Sequence, residues 1–313
     1  MQSKIVILGT GGTIAGTAAS ATDAVGYSAA QLGVAQLVAA VPALAALPIE
    51  CEQVAQLDSK DMDFATWQRL AQRAGFHLAR ADVAGVVVTH GTDTLEETAY
   101  FLHRVLAPTK PLVLTAAMRP ATSLQADGPQ NLFDAVSLAR IGRAGGVSVV
   151  IAGRAWAGSE VRKQHSYRLD AFDAGDAGPL ALIEDAQVRL LRTIAGSDPL
   201  GLAAIAPAAA DWPRVDIVLN HAGSDGALVD ALMAQGVDGL VAAGTGNGTL
   251  SAPLETALRR AAARGVQVLR ASRCANGPVL GGDAAELPSA GTLSAVQARV
   301  ELLLRLLAQR PRP

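Results

Sequence analysis

Short runs of apolar, largely β-branched residues recur along the chain: Ile5–Leu8, Val86–Val88, Leu112–Leu114, Val147–Ile151, Ile217–Leu219, Leu240–Ala242 and Val266–Leu269. Such runs are the pattern of strands buried on both faces. Between most of them lie Ala/Leu-rich helical stretches. Leu95, Ala99, Leu102 and Leu106 define a helix that stops before Pro108, and Asp127-Gly128-Pro129 starts another with Asp as cap and Pro in the first turn. Gln31–Ala46 reads as a helix ending near Pro48, and further helices fall at Leu228–Ala234, Leu254–Arg264 and Ser294 to about Arg310. Strand alternating with helix predicts an α/β fold: a larger N-terminal α/β domain with a mostly parallel sheet and a smaller C-terminal α/β parallel-sheet domain. Residues 193–214 lack a strong period and hold three prolines. They are expected to link an N-terminal domain over 1–192 to a C-terminal domain over 215–313.

Two strand ends carry unusual turns. The first strand breaks into Gly9-Thr10-Gly11-Gly12-Thr13-Ile14-Ala15-Gly16, where glycines flank the Thr13 hydroxyl. Position 14 is Ile rather than the glycine of a dinucleotide fingerprint, and no Lys-Ser/Thr pair completes a phosphate-binding loop. The next 14 residues, 17–30, are small and polar and read as a mobile loop whose one large side chain is Tyr27. The second turn is Thr89-His90-Gly91-Thr92-Asp93-Thr94-Leu95-Glu96-Glu97. Asp93 with Glu96 fits a capping box, which leaves Thr92 as a second hydroxyl at a second strand end. His90 reads as hydrogen-bonded scaffold. Gly153–Arg168 carries Glu160, Arg162 and Lys163, a solvated cluster unless it folds back onto the sheet's carboxyl edge.

Composition narrows the function. At 313 residues and 50% hydrophobic the chain can bury a substantial core, and a net charge of -2 supplies no basic field for nucleic acid or an anionic membrane. No apolar run is long enough to span a bilayer. Cys51 and Cys274 form no C-x-x-C pattern and are expected to be free, buried thiols in a reducing compartment. Four residues precede Ile5, so no signal peptide is read and cytoplasm is expected, or periplasm had a leader been removed. No histidine pair has metal-ligand spacing and no Ser-His-Asp set stands out, so neither metal nor cofactor is expected. A threonine hydroxyl attacks only when a base removes its proton. Candidate activators are Tyr27 for Thr13, and Lys163 with Asp93 for Thr92, with backbone N–H groups around Gly11-Gly12 as an oxyanion hole. These suggest acyl transfer or amide hydrolysis.

The two threonine motifs resemble the signatures of bacterial-type L-asparaginases and glutaminase-asparaginases. The likeness continues through Asp58-Ser59-Lys60-Asp61-Met62, Ala117-Met118-Arg119-Pro120, residues 123–129, Gly244-Thr245-Gly246-Asn247-Gly248 and Ser289-Ala290-Gly291-Thr292-Leu293. This resemblance implies hydrolysis of L-asparagine to L-aspartate and ammonia through a β-acyl-enzyme on Thr13, with Tyr27 on a lid loop. It makes Thr92, Asp93 and Lys163 the second catalytic group. Gly12, Ser59, Lys60, Thr92, Asp93 and Asn247 would line the substrate site, Ser59 and Asp93 holding its α-carboxylate and α-amino group. It also implies a homotetramer, a dimer of intimate dimers with interfacial sites, in which Asn247 or Thr249 reaches a neighbour's substrate. Lys60 stands where many relatives carry Gln, and its ammonium would repel the substrate's own unless it turns away. The family's acidic residue from the partner subunit has no clean counterpart, leaving Asp283 or Glu286 to substitute. Weak glutaminase activity is expected. Two other classes compete: a non-catalytic amino-acid-binding protein on the same scaffold, and a tRNA-dependent amidotransferase subunit. Activated nucleophiles argue against the first; the length and charge argue against the second.

Overall fold

A computed structural model describes residues 3–23, 25–142, 145–194, 196, 198–281 and 287–310. The chain divides into two compact units, residues 1–202 and 203–313. In the first unit the elements run β1 (Lys4–Gly11), β2 (Thr17–Ala18), β3 (Tyr27–Ser28), α1 (Val34–Ala39), β4 (Ile49–Leu57), α2 (Phe64–Ala79), β5 (Val83–Thr89), α3 (Leu95–Leu106), β6 (Pro111–Thr115), α4 (Gly128–Arg140) and β7 (Gly146–Ile151). Then come β8 (Arg154–Ala157), β9 (Arg162–Lys163), β10 (Phe172–Asp173), β11 (Ala181–Glu184) and β12 (Gln187–Leu190). Eight strands make one sheet in the order β12-β11-β8-β7-β6-β5-β1-β4. The block from β4 to β7 is parallel, and β8, β11 and β12 extend it antiparallel. The larger sheet is therefore mostly parallel, as the alternating pattern predicts.

Strand burial follows position. β6 is buried at every residue and β5 at all but one, the uniform apolarity of a strand covered on both faces. β4 lies at the sheet edge, and all its residues but the buried Val54 are exposed or half-buried. Its Glu50 and Glu52 meet Arg80 and Arg73, and His77 of α2 reaches Glu52 at 2.7 Å. Such charges blunt an edge that would otherwise pair with another strand. Strand β4 and helix α2 escape the apolar-run reading for this reason. The strand alternates charge with apolar residues, and the helix buries a stripe made partly of alanine: Trp67, Leu70, Ala71 and Ala74. Asp63 caps α2 by accepting from Thr66 N–H at 2.7 Å.

Three other expectations change. The helix expected over 31–46 is broken: α1 spans only Val34–Ala39, because Pro42 cannot donate and instead opens a 3-10 turn at Pro42–Leu44. Residues 17–30 are not featureless, since β2 and β3 pair antiparallel with Ala18 opposite Tyr27. Cys51 and Cys274 are free but exposed, not buried. Cys51 faces out from the edge strand and Cys274 lies in the turn after the last strand.

The second unit is built from β13 (Val215–Leu219), α5 (Ala227–Ala234), β14 (Gly239–Gly244), α6 (Ala252–Ala263), β15 (Gln267–Ser272) and α7 (Ala295–Gln309). Its three strands are parallel in the order β13-β14-β15, and α7 packs on all of them. Ser294 and Gln297 close a capping box at the start of α7. The core gathers Leu240, Leu254, Leu258, Val229 and Ala242. This is the smaller α/β parallel sheet expected for the C-terminal part.

Candidate active site

Taken alone, the five parallel strands of the first unit run β4-β1-β5-β6-β7. In order of appearance that is second, first, third, fourth, fifth. The chain reverses direction across the sheet between the first strand, β1, and the third, β5, and ligands of open α/β sheets sit outside the strand ends at such a reversal. Thr13 follows β1 and Thr92 follows β5, so both hydroxyls stand at this point.

Backbone contact explains the glycines. Gly12 has φ 82, and a Cβ there would land on the backbone nitrogen and Cα of Gly91. A Cβ on Gly91 would in turn strike the Ser59 side chain. The turns after β1, β5 and β4 thus touch through positions where no side chain fits, which brings the residues just before Thr13 and Thr92 together. Thr10 Oγ1 ties the first two strands by donating to Thr89 O at 2.9 Å. Gly12 is not an oxyanion donor here. Its N–H donates to Leu57 O at 2.9 Å, and its carbonyl accepts from Ala30 N–H at 3.0 Å and Ala15 N–H at 3.2 Å.

Each threonine has one ionisable companion. Thr13 Oγ1 and Tyr27 Oη are 2.7 Å apart. Lys163 Nζ donates to Thr92 Oγ1 at 3.0 Å and to Asp93 Oδ1 at 2.6 Å. The polar segment after β8 therefore does fold back onto the sheet's carboxyl edge, held as β9 against β10 with Lys163 opposite Phe172. Thr13 and Thr92 are both buried, while the Asp93 side chain is 53% exposed. Asp93 is not the helix cap that the capping-box pattern suggests. Thr94 is the N-cap residue of α3, and its hydroxyl donates to Ser59 O at 2.8 Å. Asp93 N–H donates to Ser59 Oγ at 3.1 Å. Asp93 is thereby left free of the helix and its carboxylate goes to Lys163.

Glu96, read from sequence as the other half of that box, accepts from the Lys163 backbone N–H at 3.3 Å. Burial pushes its carboxyl up to about 7, against the pull of that N–H and of the Arg162 and Lys163 charges. Only the side chain's position across the sheet, invisible in a linear pattern, marks it as part of this corner. His90 is fully buried scaffold. Trp67 Nε1–H donates to Thr98 Oγ1 at 2.8 Å, Thr98 lies 3.0 Å from His90 Nε2, and His90 Nδ1–H donates to the Gly91 carbonyl at 2.7 Å. Burial lowers its pKa to about 4, so the ring is neutral.

Lys60 sits on the 3-10 turn Ser59–Asp61 after β4, its ammonium 2.6 Å from Asp58 and 3.6 Å from Asp61. The Asp58 hydrogen bond holds its pKa above the lysine range. In the second unit the Asn247 side chain is engaged with one backbone: Leu280 N–H donates to its Oδ1 at 2.7 Å, and its Nδ2 donates to Leu280 O at 2.8 Å. Thr249 Oγ1 lies 2.9 Å from Thr245 Oγ1. Asp283 and Glu286 lie outside the described residues.

Two family models match the chain: asparaginase, N-terminal, over residues 4–195, and the glutaminase/asparaginase C-terminal domain over 214–312. L-asparaginase 2 of Escherichia coli K12 is 38% identical, over 97% of this chain and 88% of that protein. L-asparaginase 2 of Bacillus subtilis is 37% identical over 97% and 82%. Glutaminase-asparaginase of Pseudomonas fluorescens biotype A is 36% identical over 86% and 75%. The crystal structure of a "probable cytoplasmic L-asparaginase from Campylobacter jejuni" superposes with a TM-score of 0.92 at 37% identity, covering 97% of this chain and 95% of that one. Fold, family models and similarity over most of the chain agree, and the chain belongs to the asparaginase and glutaminase-asparaginase family.

Proposed function

We propose that the protein is an L-asparagine amidohydrolase that forms L-aspartate and ammonia through a β-acyl-enzyme on Thr13. What carries this reading is the pairing of two buried threonine hydroxyls at the sheet's reversal point, each with its own ionisable companion: Tyr27 at 2.7 Å from Thr13 and Lys163 at 3.0 Å from Thr92. Thr13 Oγ1 attacks the side-chain amide carbon as its proton is relayed through the Tyr27 hydroxyl to the amide nitrogen. The tetrahedral intermediate expels that protonated nitrogen as ammonia and leaves an ester between Thr13 and the β-carboxyl. A water held at Thr92 attacks that ester, its proton passing through the Thr92–Lys163–Asp93 set, and free Thr13 and aspartate are regenerated. Two threonines fit two half-reactions, since splitting the hydrolysis makes each step easier.

Ser59 and Asp93 hold the substrate's α-carboxylate and α-amino group in this scheme. Anchoring both charged ends spends remote binding energy on orienting the amide. Lys60 is engaged by Asp58 and leaves the α-ammonium to Asp93. Relatives named glutaminase-asparaginase and L-asparaginase stand at similar identity, and glutamine is expected to be a weak substrate here. Assembly as a homotetramer with interfacial sites, and a cytoplasmic location, complete the reading. The Campylobacter jejuni structure is described as cytoplasmic, and a Haemophilus influenzae relative 34% identical is named periplasmic.

The test is ammonia release from L-asparagine and L-glutamine by the intact protein and by Thr13→Ala. Release from asparagine that falls about a thousandfold or more in the variant supports the nucleophile assignment. A folded protein that releases ammonia from neither amide overturns the reading in favour of a binding protein. Glutamine turnover equal to that of asparagine overturns the expected preference.

A further inference from the structure

The hairpin of β2 and β3 carries Tyr27, yet it consists of two residue pairs, Thr17 opposite Ser28 and Ala18 opposite Tyr27. Two-stranded ribbons this short do not hold their own register in water. Something else must fix the tyrosine at 2.7 Å from Thr13. Ala30 N–H, three residues after Tyr27, ties one side by donating to Gly12 O, and residues 121–124, which follow the strand-end segment Ala116–Pro120, hold the other. Ala121 N–H donates to Gly16 O at 2.9 Å, and Leu124 N–H donates to Ala21 O at 3.0 Å. Between them the Thr122 hydroxyl accepts from Ala18 N–H at 2.8 Å and faces Ala18 O at 3.4 Å. Ala18 is the residue directly across the hairpin from Tyr27.

The gripping segment is itself anchored. Asp127 accepts from the backbone N–H groups of Met118 and Arg119, each at 3.0 Å. The buried Arg119 guanidinium donates to Tyr167 O at 2.8 Å and lies 3.9 Å over the Tyr167 ring. Tyr167 follows Lys163 by four residues on the segment that brings that lysine to Thr92. One loop is therefore fastened on one side to the Tyr27 hairpin and on the other to the Lys163 segment.

We propose that Thr122 is a positioning residue for the Thr13–Tyr27 pair, gripping the Ala18 backbone so that Tyr27 is kept in register at the nucleophile. This deepens the amidohydrolase reading and rests on it for its kinetic consequence. Thr122 is exposed, so replacing it does not disturb the core. Thr122→Val removes the hydroxyl and keeps the shape; Thr122→Ser keeps the hydroxyl.

The experiment measures hydrogen–deuterium exchange in peptides spanning residues 16–28, together with kcat and KM for L-asparagine. We expect Thr122→Val to speed exchange at Ala18 and to lower kcat about fivefold with KM little changed, a loss matching one net hydrogen bond. Thr122→Ser should restore both. Unchanged exchange in Thr122→Val overturns the proposal, as does faster exchange with undiminished kcat, or a serine variant as impaired as the valine. Failure of the amidohydrolase reading is seen separately, as no ammonia from the unmodified protein. In that event the exchange at Ala18 and Tyr27 still decides whether Thr122 holds the hairpin.

Discussion

Glu96 illustrates how a single half-buried carboxyl couples folding to pH. Its pKa is pushed up to about 7 by burial, so between the ordinary carboxylate range and pH 7 the folded chain holds a proton that the unfolded chain has released. Stability therefore falls as pH rises through that window. The loss should be on the order of 2 kcal/mol, allowing for part of the raised pKa being offset by nearby water. Urea denaturation at pH 5 and pH 8 should show Glu96→Gln gaining on the unmodified protein at the higher pH only. A parallel shift at both would rule the coupling out. Asp134, raised to about 6 by burial, works in the same direction and is untouched by the substitution. At Lys60 the expectation is a near-silent change: with its ammonium spent on Asp58, Lys60→Gln should alter KM for asparagine less than about threefold. A tenfold fall in KM would mean that the ammonium faces the substrate after all. The hydroxyls of Thr13 and Thr92 are visible in sequence because glycines and strand ends frame them. The roles of Glu96 and Thr122 are not, because each acts on a segment far along the chain: Lys163 lies 67 residues from Glu96, and Ala18 lies 104 from Thr122.

Elements were readable where burial is uniform and obscure where it is graded. Strands β1, β5, β6 and β7 announce themselves because both faces are covered, so their runs are almost wholly apolar, with Ser148 of β7 the polar exception at mid-strand. Edge strand β4 and alanine-striped α2 lack that contrast, and the short antiparallel strands β8, β11 and β12 are too brief to show a period. Turn geometry was legible in its glycines but not in its contacts. The Gly12–Gly91 approach makes a direct prediction: Gly91→Ala, whose Cβ would meet Ser59, should lower stability by about 3 kcal/mol and be read as a drop in Tm. Gly12→Ala adds a positive φ to its clash and should be no milder. At the start of α2, Asp63→Ala should cost about 1 kcal/mol through the lost cap to Thr66, with kcat unaffected.

At the scale of the whole molecule, alternation of strand and helix was enough to predict an α/β architecture in two parts, whereas the antiparallel extension of the larger sheet was not. The proposed tetramer is checked by sedimentation at working concentration, where a stable monomer that retains full activity would remove the need for an interfacial site. The contact between Gly12 and Gly91 also has a temporal meaning. It joins turns whose strands are tied by a hydrogen bond 79 residues apart in the chain, with α1, β4 and α2 threaded between them. Contacts of such sequence separation form late, because the loop they close must be ordered first. The turns carrying the two hydroxyls therefore come together only once that long loop has closed. A chain in which β1 and β5 have not paired is expected to be catalytically silent, so activity after dilution from denaturant should return no earlier than that pairing.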